Sequence, residues 1–251
     1  LMFLGCPIRM ILRLGGGDLN ALFGIAGFAG GIGFGTIFLK KGYSLQRTYA
    51  LSKLESAMMP AIQVGLLVLV VTAPAFIFFS QKGPGAMHAP WLISLVAGLV
   101  VGGLSQVSRL CTVGGFRDLF LFKKSVLIFG YLAVLVGVFL VNISFGNFHL
   151  GFENQPIAHT DGLWNFLGMA LAGFCSVLLG GCPLRQLIMT GEGNSDSAVT
   201  VLGLAAGAAF AHNFGLAASG AGPTLNGQIA VGVGFVVALI IAILNTKRAN
   251  A

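Results

Sequence analysis

Seven stretches of this chain, 19–39, 60–80, 91–108, 125–145, 163–179, 197–218 and 227–245, contain no Lys, Arg, Asp or Glu. A spanning helix needs ~20 mostly apolar residues, and most of these runs reach that length. Charged residues make up 8% of the whole chain, against about 25% in soluble domains. The sequence therefore predicts an all-α integral membrane protein, a polytopic helical bundle in contact with lipid. Its abundant glycine, 38 residues, suits helices that pack closely in a bilayer.

The net charge of +7 does not point to nucleic acid, because the basic residues gather in short loops. Lys40, Lys41, Arg47 and Lys53 form one group, Arg117, Lys123 and Lys124 another, and Lys247 and Arg248 close the chain. The positive-inside rule places these groups in the cytoplasm. The segment 146–161 has Glu153 and Asp161 but no Lys or Arg, which places it outside. The segment 81–90, with Lys82, follows outside by alternation.

Two of the apolar runs, 91–108 and 163–179, are short, and each leads into a cysteine-bearing segment, "SQVSRLCTVGGFRD" and "GGCPLR". Short, interrupted hydrophobic segments point to transporter binding sites. The phrase Gly181-Cys182-Pro183-Leu184-Arg185 also has a counterpart at the start of the chain, Gly5-Cys6-Pro7-Ile8-Arg9. A shift of 176 aligns these four matching residues and pairs Gly15, Gly17, Gly27, Ala29, Gly31 and Phe34 with identical residues. That pattern indicates an internal duplication. Five spans separate the ends of the two copies, and an odd number inverts the unit, giving the inverted-repeat plan of many secondary transporters. On this plan residues 1–59 end a first repeat, 60–251 form the second with its leading helices, and both belong to one membrane domain. Cys111 would then have a partner 176 residues earlier, so with a leading helix roughly 90 residues are expected to precede this chain.

The repeated phrase has a physical reading. Proline suits the first position of a helix, where no N–H partner is needed, so Cys-Pro marks a half-helix beginning within the membrane. Its free N–H groups and positive dipole attract an anion, and Arg185, about one turn on, adds a full charge. A charge at bilayer depth costs at least ~2.5–3.5 kcal/mol on insertion scales and faces a partner or a watery cavity. Cys6, Pro7 and Arg9 supply the same elements from the opposite side. Cys111 is a variant, with Arg109 before it, Gly114-Gly115 allowing a tight backbone, and Arg117-Asp118 beginning the cytoplasmic exit. The thiol is a weak donor with a soft sulfur, suited to a sulfur- or selenium-bearing anion. The predicted substrate-binding residues are therefore Cys6, Cys111, Cys182, Arg9, Arg185, Gly5, Gly181, Pro7, Pro183, Arg109 and Arg117.

Simpler readings stand beside these. Cysteine is often only a small buried apolar residue, the natural reading for Cys175 in mid-helix. Arg117 can be a positive-inside anchor neutralised by Asp118, and Arg9 and Arg185 can snorkel to an interface. His212 and Asn213 read as helix–helix hydrogen bonding, and Glu192 and Asp196 as loop and helix cap. His88, His149 and His159 have no metal-like spacing and remain unassigned. Four cysteines make no disulfide framework, and the chain carries no nucleotide-binding GxxxxGK[ST] motif.

At "GCPIR", "SRLCTVGGFRD" and "GGCPLR" the chain resembles the YeeE/YedE family of sulfur-transport membrane proteins. The longer "GCPIRMILRLGGGDLNAL" is most similar to its YedE branch, associated with selenium metabolism. The resemblance implies a multi-pass protein of the bacterial inner membrane that is a transporter and not an enzyme, needing no cofactor. Its substrate would be a thiosulfate-like ion or a selenium compound, relayed inward by Cys6, Cys111 and Cys182. A cytoplasmic TusA-like sulfur carrier is the implied partner. Two rivals are a membrane thiol oxidoreductase, which requires mixed disulfides or a persulfide in turnover, and a non-transporting membrane subunit, which tolerates loss of the thiols.

Overall fold

A computed structural model describes residues 2–45, 53–73 and 89–246, with residues 76, 81 and 86 between them. Its helices are α1 (Pro7–Gly15), α2 (Asn20–Lys40), α3 (Lys53–Thr72), α4 (Trp91–Ser108) and α5 (Thr112–Phe122). They continue with α6 (Val126–Ser144), α7 (Gly162–Leu179), α8 (Pro183–Gly191), α9 (Ser195–Asn213) and α10 (Leu225–Thr246). The protein is thus helical and polytopic, as the apolar runs require. The expected roles of Arg47, Lys82, His88, Lys247 and Arg248 lie outside the described residues.

Five stretches among the described residues are long and apolar enough to cross a membrane: Asn20–Lys40, Trp91–Phe122, Val126–Ser144, Gly162–Gly191 and Leu225–Thr246. Of the two remaining runs, 60–80 lies partly outside the described residues and 197–218 is not among the five. The former starts in α3, which begins at Lys53 and ends at Thr72. Ala73 takes a left-handed φ of 41° just before Pro74, and a residue preceding proline is pushed out of the helical region. The latter run becomes α9, rich in Ala and Gly, which stops at Asn213.

The chain divides into two compact units. The larger comprises Leu1–Gln46, Leu110–Arg185 and Leu202–Ala251, the smaller Arg47–Arg109 and Gln186–Val201. In the larger unit, α2 and α7 lie backbone to backbone. A Cβ on Gly27 would strike the carbonyl of Phe166, one on Gly31 that of Ala170, and one on Gly173 that of Phe28. Small residues at such contacts let two helices approach in lipid, where packing and not apolar burial drives association. Phe28 and Ile32 of α2 and Met169 and Val177 of α7 are fully or almost fully buried beside this seam. Helices α1 and α5 pack against α2 and α6, and α10 packs on α7. In the smaller unit, α3 and α4 present outward-facing apolar residues such as Val64, Leu99 and Val107, a surface suited to lipid.

Candidate functional site

Three short helices share one construction. Two residues before each cysteine the backbone turns left-handed: φ is 57° at Leu4, 52° at Arg109 and 82° at Gly180. The cysteine then precedes the first helical residue: Pro7 of α1, Thr112 of α5 or Pro183 of α8. Cys6 and Cys111 are extended, and the Cys111 sulfur accepts a hydrogen bond from the Gly114 N–H at 3.3 Å. Cys182 makes the equivalent contact with the Arg185 N–H. Each thiol therefore sits at the positive end of a helix, where unpaired N–H groups gather. Two of the left-handed residues are not glycine, a conformation that costs of order 1–3 kcal/mol where the surroundings impose it.

Helices α1 and α8 are both nine residues long and related by the same shift of 176. Cys111, read from sequence as part of a tight loop, instead caps a helix of 11 residues. Gly114 and Gly115 are needed for another reason: Cβ atoms there would meet Leu127 at 3.0 Å and Ile128 at 3.3 Å, so the glycines let α5 close on α6.

The thiols converge within the larger unit. Cys111 packs against the core that holds Cys182, and the two thiols and Thr112 lie within interaction reach of one another. Cys182 is 1% exposed and shares that core with Phe3, Met10, Ile11 and Val113. Tyr131 of α6 reaches the same place. Its ring stacks edge-on with Phe116, and it lies within electrostatic reach of both Cys182 and Cys6. The Tyr131 and Thr112 hydroxyls are buried without a geometrically sound hydrogen-bond partner. Cys6 itself is exposed. The site thus offers the accessible Cys6, the half-buried Cys111 beside the buried Cys182, and two buried hydroxyls.

A polar clamp holds the first of these turns. Arg13 Nε donates to Asp18 Oδ2 and Nη1 to the Phe3 carbonyl, each at 2.6 Å. The Arg13 guanidinium also stacks on the Phe3 ring at 4.2 Å. Asp18 Oδ1 accepts from the backbone and side-chain amides of Asn20, whose Nδ2 also donates to the Phe152 carbonyl at 2.7 Å. Backbone bonds join His149 to Gly16 and Gly151 to Gly17 and Leu19. His159, which sequence left unassigned, is 3% exposed and bonds the Met2 carbonyl at 2.8 Å. The segment 146–161 is therefore strapped to the α1–α2 hairpin and fixes the turn before Cys6.

The sequence profile described as "Sulphur transport" matches residues 107–247. The chain belongs to the sulphur-transport family. It is also 28% identical over 111 residues to the thiosulfate transporter TsuA of Escherichia coli (strain K12). That match covers 43% of this chain and 30% of the relative, so the chain aligns with about a third of its relative's length. No solved structure matches. The family and the five apolar stretches make this a multi-pass membrane protein, of the inner membrane in bacteria.

The matched region includes two of the three cysteine turns of this sulphur-transport chain. Of the other residues singled out from sequence, Gly5, Pro7, Gly181 and Pro183 build the turns at Cys6 and Cys182. Gly5 serves by closeness, since a Cβ there would lie 2.6 Å from Arg9 Cδ. Arg9 and Arg185 are half-buried, one turn into α1 and α8. Arg117 pairs with Asp118 at 2.9 Å, so its charge is neutralised locally. Arg109 is exposed and belongs to the smaller unit. Cys175 lies among Phe174, Leu178 and Ala238, as an apolar packing residue. The cap of α9 is Asn194, whose Oδ1 accepts from the Ser197 N–H at 2.9 Å, and Asp196 instead lies in the first turn. Asn213 bonds the Ala209 carbonyl of its own helix, not a neighbouring one. Asp18, Thr112 and Tyr131 escaped the sequence reading. Asp18 carried a signal, as the one acid in the first 50 residues; Tyr131, inside an apolar run, carried only its hydroxyl.

Proposed function

We propose that this chain moves a small sulfur-bearing anion of the thiosulfate type across the membrane past Cys6, Cys111 and Cys182. The observation that carries this reading is the approach of Cys111 to Cys182, each at the N-terminus of a short helix. An oxyanion there meets partial positive charge from the helix ends. Its terminal sulfur meets soft thiols, and its oxygens meet the Thr112 and Tyr131 hydroxyls. Cargo passes by S–H···S contacts from the exposed Cys6 to Cys111 and the buried Cys182, with no covalent bond made. A selenium analogue fits the same soft contacts. The inverted repeat supplies half-helices from both sides of the bilayer, with the segment 146–161 outside. A cytoplasmic sulfur carrier of the TusA type would receive the product.

The thiol pair also favours a second reading, in which Cys111 and Cys182 form a disulfide and the chain is an oxidoreductase. Alkylation separates the two. The full-length protein in membranes is treated with a thiol reagent with and without thiosulfate, and modified cysteines are mapped by mass spectrometry. Protection of Cys6 and Cys182 by thiosulfate, with no change in protein mass, supports transport. Loss of two hydrogen atoms, as the thiol pair reduces thiosulfate to sulfide and sulfite, or gain of a sulfur atom with release of sulfite, supports the oxidoreductase.

A further inference from the structure

A cleft of about 720 Å³ runs along α1 from Arg9 to Gly16, between that helix, the end of α6 and the segment 146–156. Arg9, Arg13, Asp18, Asn142, Asn147 and Gln155 are among its walls. Two features set it apart. Arg13 is 8% exposed, and although its Nε and Nη1 are engaged, its Nη2 is buried with no partner. Arg9 Nε is likewise buried with no partner. Buried polar groups are nearly always hydrogen-bonded, so two unpaired guanidinium donors on residues that line one cleft are unusual.

The protein does not supply them an acceptor within the cleft. Asp18 is the one carboxylate in its lining, and both its oxygens are taken, Oδ2 by Arg13 and Oδ1 by Asn20. Asp18 balances Arg13, which leaves the cleft with the uncompensated charge of Arg9. Asn142 and Gln155 spend their amide donors on backbone carbonyls, of Gly15 and Val138 and of His149 and Gly151 respectively. The charged donors in the lining belong to Arg9 and Arg13, beside the amides of Asn147 and Asn154, and guanidinium groups bind oxyanions through charge-assisted hydrogen bonds. The Arg9 stem crosses Gly5, so its head group is tethered beside the turn that carries Cys6.

We propose that this cleft is a capture subsite for tetrahedral oxyanions, held by Arg9 and Arg13 before the cargo reaches the thiols. This rests on the transport reading above. The subsite recognises oxygens and not sulfur, so it binds sulfate as readily as thiosulfate. Selection for the terminal sulfur then falls to Cys6, Cys111 and Cys182. Sulfate is thus a competitor that enters and is not carried.

The test measures initial uptake of labelled thiosulfate by the full-length protein in membrane vesicles, with and without sulfate, for the wild type, Arg9→Gln and Arg9→Lys. Arg13 is not varied, because its clamp supports the fold. The expected result is competitive inhibition by sulfate in the wild type. In Arg9→Gln the KM rises about tenfold at nearly unchanged maximal rate, sulfate inhibition weakens in parallel, and Arg9→Lys recovers part of both. An unchanged KM in Arg9→Gln at equal protein level, or no inhibition by sulfate, overturns the subsite while leaving Cys182-dependent transport intact. If the wild type carries no thiosulfate, the transport reading falls, and sulfate binding to the purified protein by calorimetry decides the subsite alone. Binding lost in Arg9→Gln supports it, and no binding overturns it.

Discussion

Gly31 and Gly207, identical residues related by the shift of 176, offer a matched pair of perturbations, Gly31→Ala and Gly207→Ala. At Gly31 the three atoms closest to an added Cβ are all backbone atoms of Ala170. No side-chain rotation relieves that overlap, so α2 and α7 must separate or tilt. Overpacking a well-formed interface costs typically about 1–3 kcal/mol, and a clash with a helix backbone belongs at or above the top of that range. The separation also weakens the contacts flanking it, where Phe166 meets Gly27 and Phe28 meets Gly173. At Gly207 nothing lies within 4 Å of the same added atom, while alanine favours the helix over glycine by up to about 1 kcal/mol. Thermal unfolding of the detergent-solubilised full-length protein, followed by loss of the monodisperse peak, should show Gly31→Ala melting at least about 5 °C lower. Gly207→Ala should melt at or slightly above the wild type. Equal melting of Gly31→Ala and the wild type would refute the close approach of α2 and α7 on which the arrangement of the larger unit depends.

Asp18→Asn leaves the buried Arg13 guanidinium without its counter-charge, and breaking a buried pair from one side costs about 3–5 kcal/mol. The same melting assay should register that loss, and His159 should become more accessible to diethyl pyrocarbonate as segment 146–161 loosens. Cys175→Ala removes only a packing contact in an apolar cluster. It should lower stability by no more than about 2 kcal/mol and leave thiosulfate uptake within twofold of the wild type.

Much of this architecture was legible because lipid imposes a simple grammar on sequence. Uncharged runs marked α2, α4, α6, α7 and α10 to within two residues at either end, since charge and helix breakers bound them sharply. Cys-Pro located the starts of α1 and α8 for the reason that proline suits a helix's first turn. Cys111 lacked that marker. Thr112 follows it in place of proline, and two glycines disguised a helix as a loop. The run 60–80 continues past Pro74 into residues that lie outside the described ones. The convergence of Cys111, Cys182, Thr112 and Tyr131 was beyond reach, since it depends on how α5 and α6 pack and not on spacing along the chain. The Arg13–Asp18 clamp was hidden in the same way: its partners Phe3, Asn20 and Phe152 are joined by folding alone.

The central claim is that cargo passes through the cysteine cluster, and uptake by a single variant tests it most directly. The full-length protein is expressed in cells lacking their own thiosulfate uptake, and labelled thiosulfate entry is followed for the wild type, Cys182→Ala and the control Cys175→Ala. The account predicts entry with the wild type and with Cys175→Ala, and at least a tenfold loss with Cys182→Ala at equal membrane abundance. Undiminished entry with Cys182→Ala would return that thiol to packing and contradict the account.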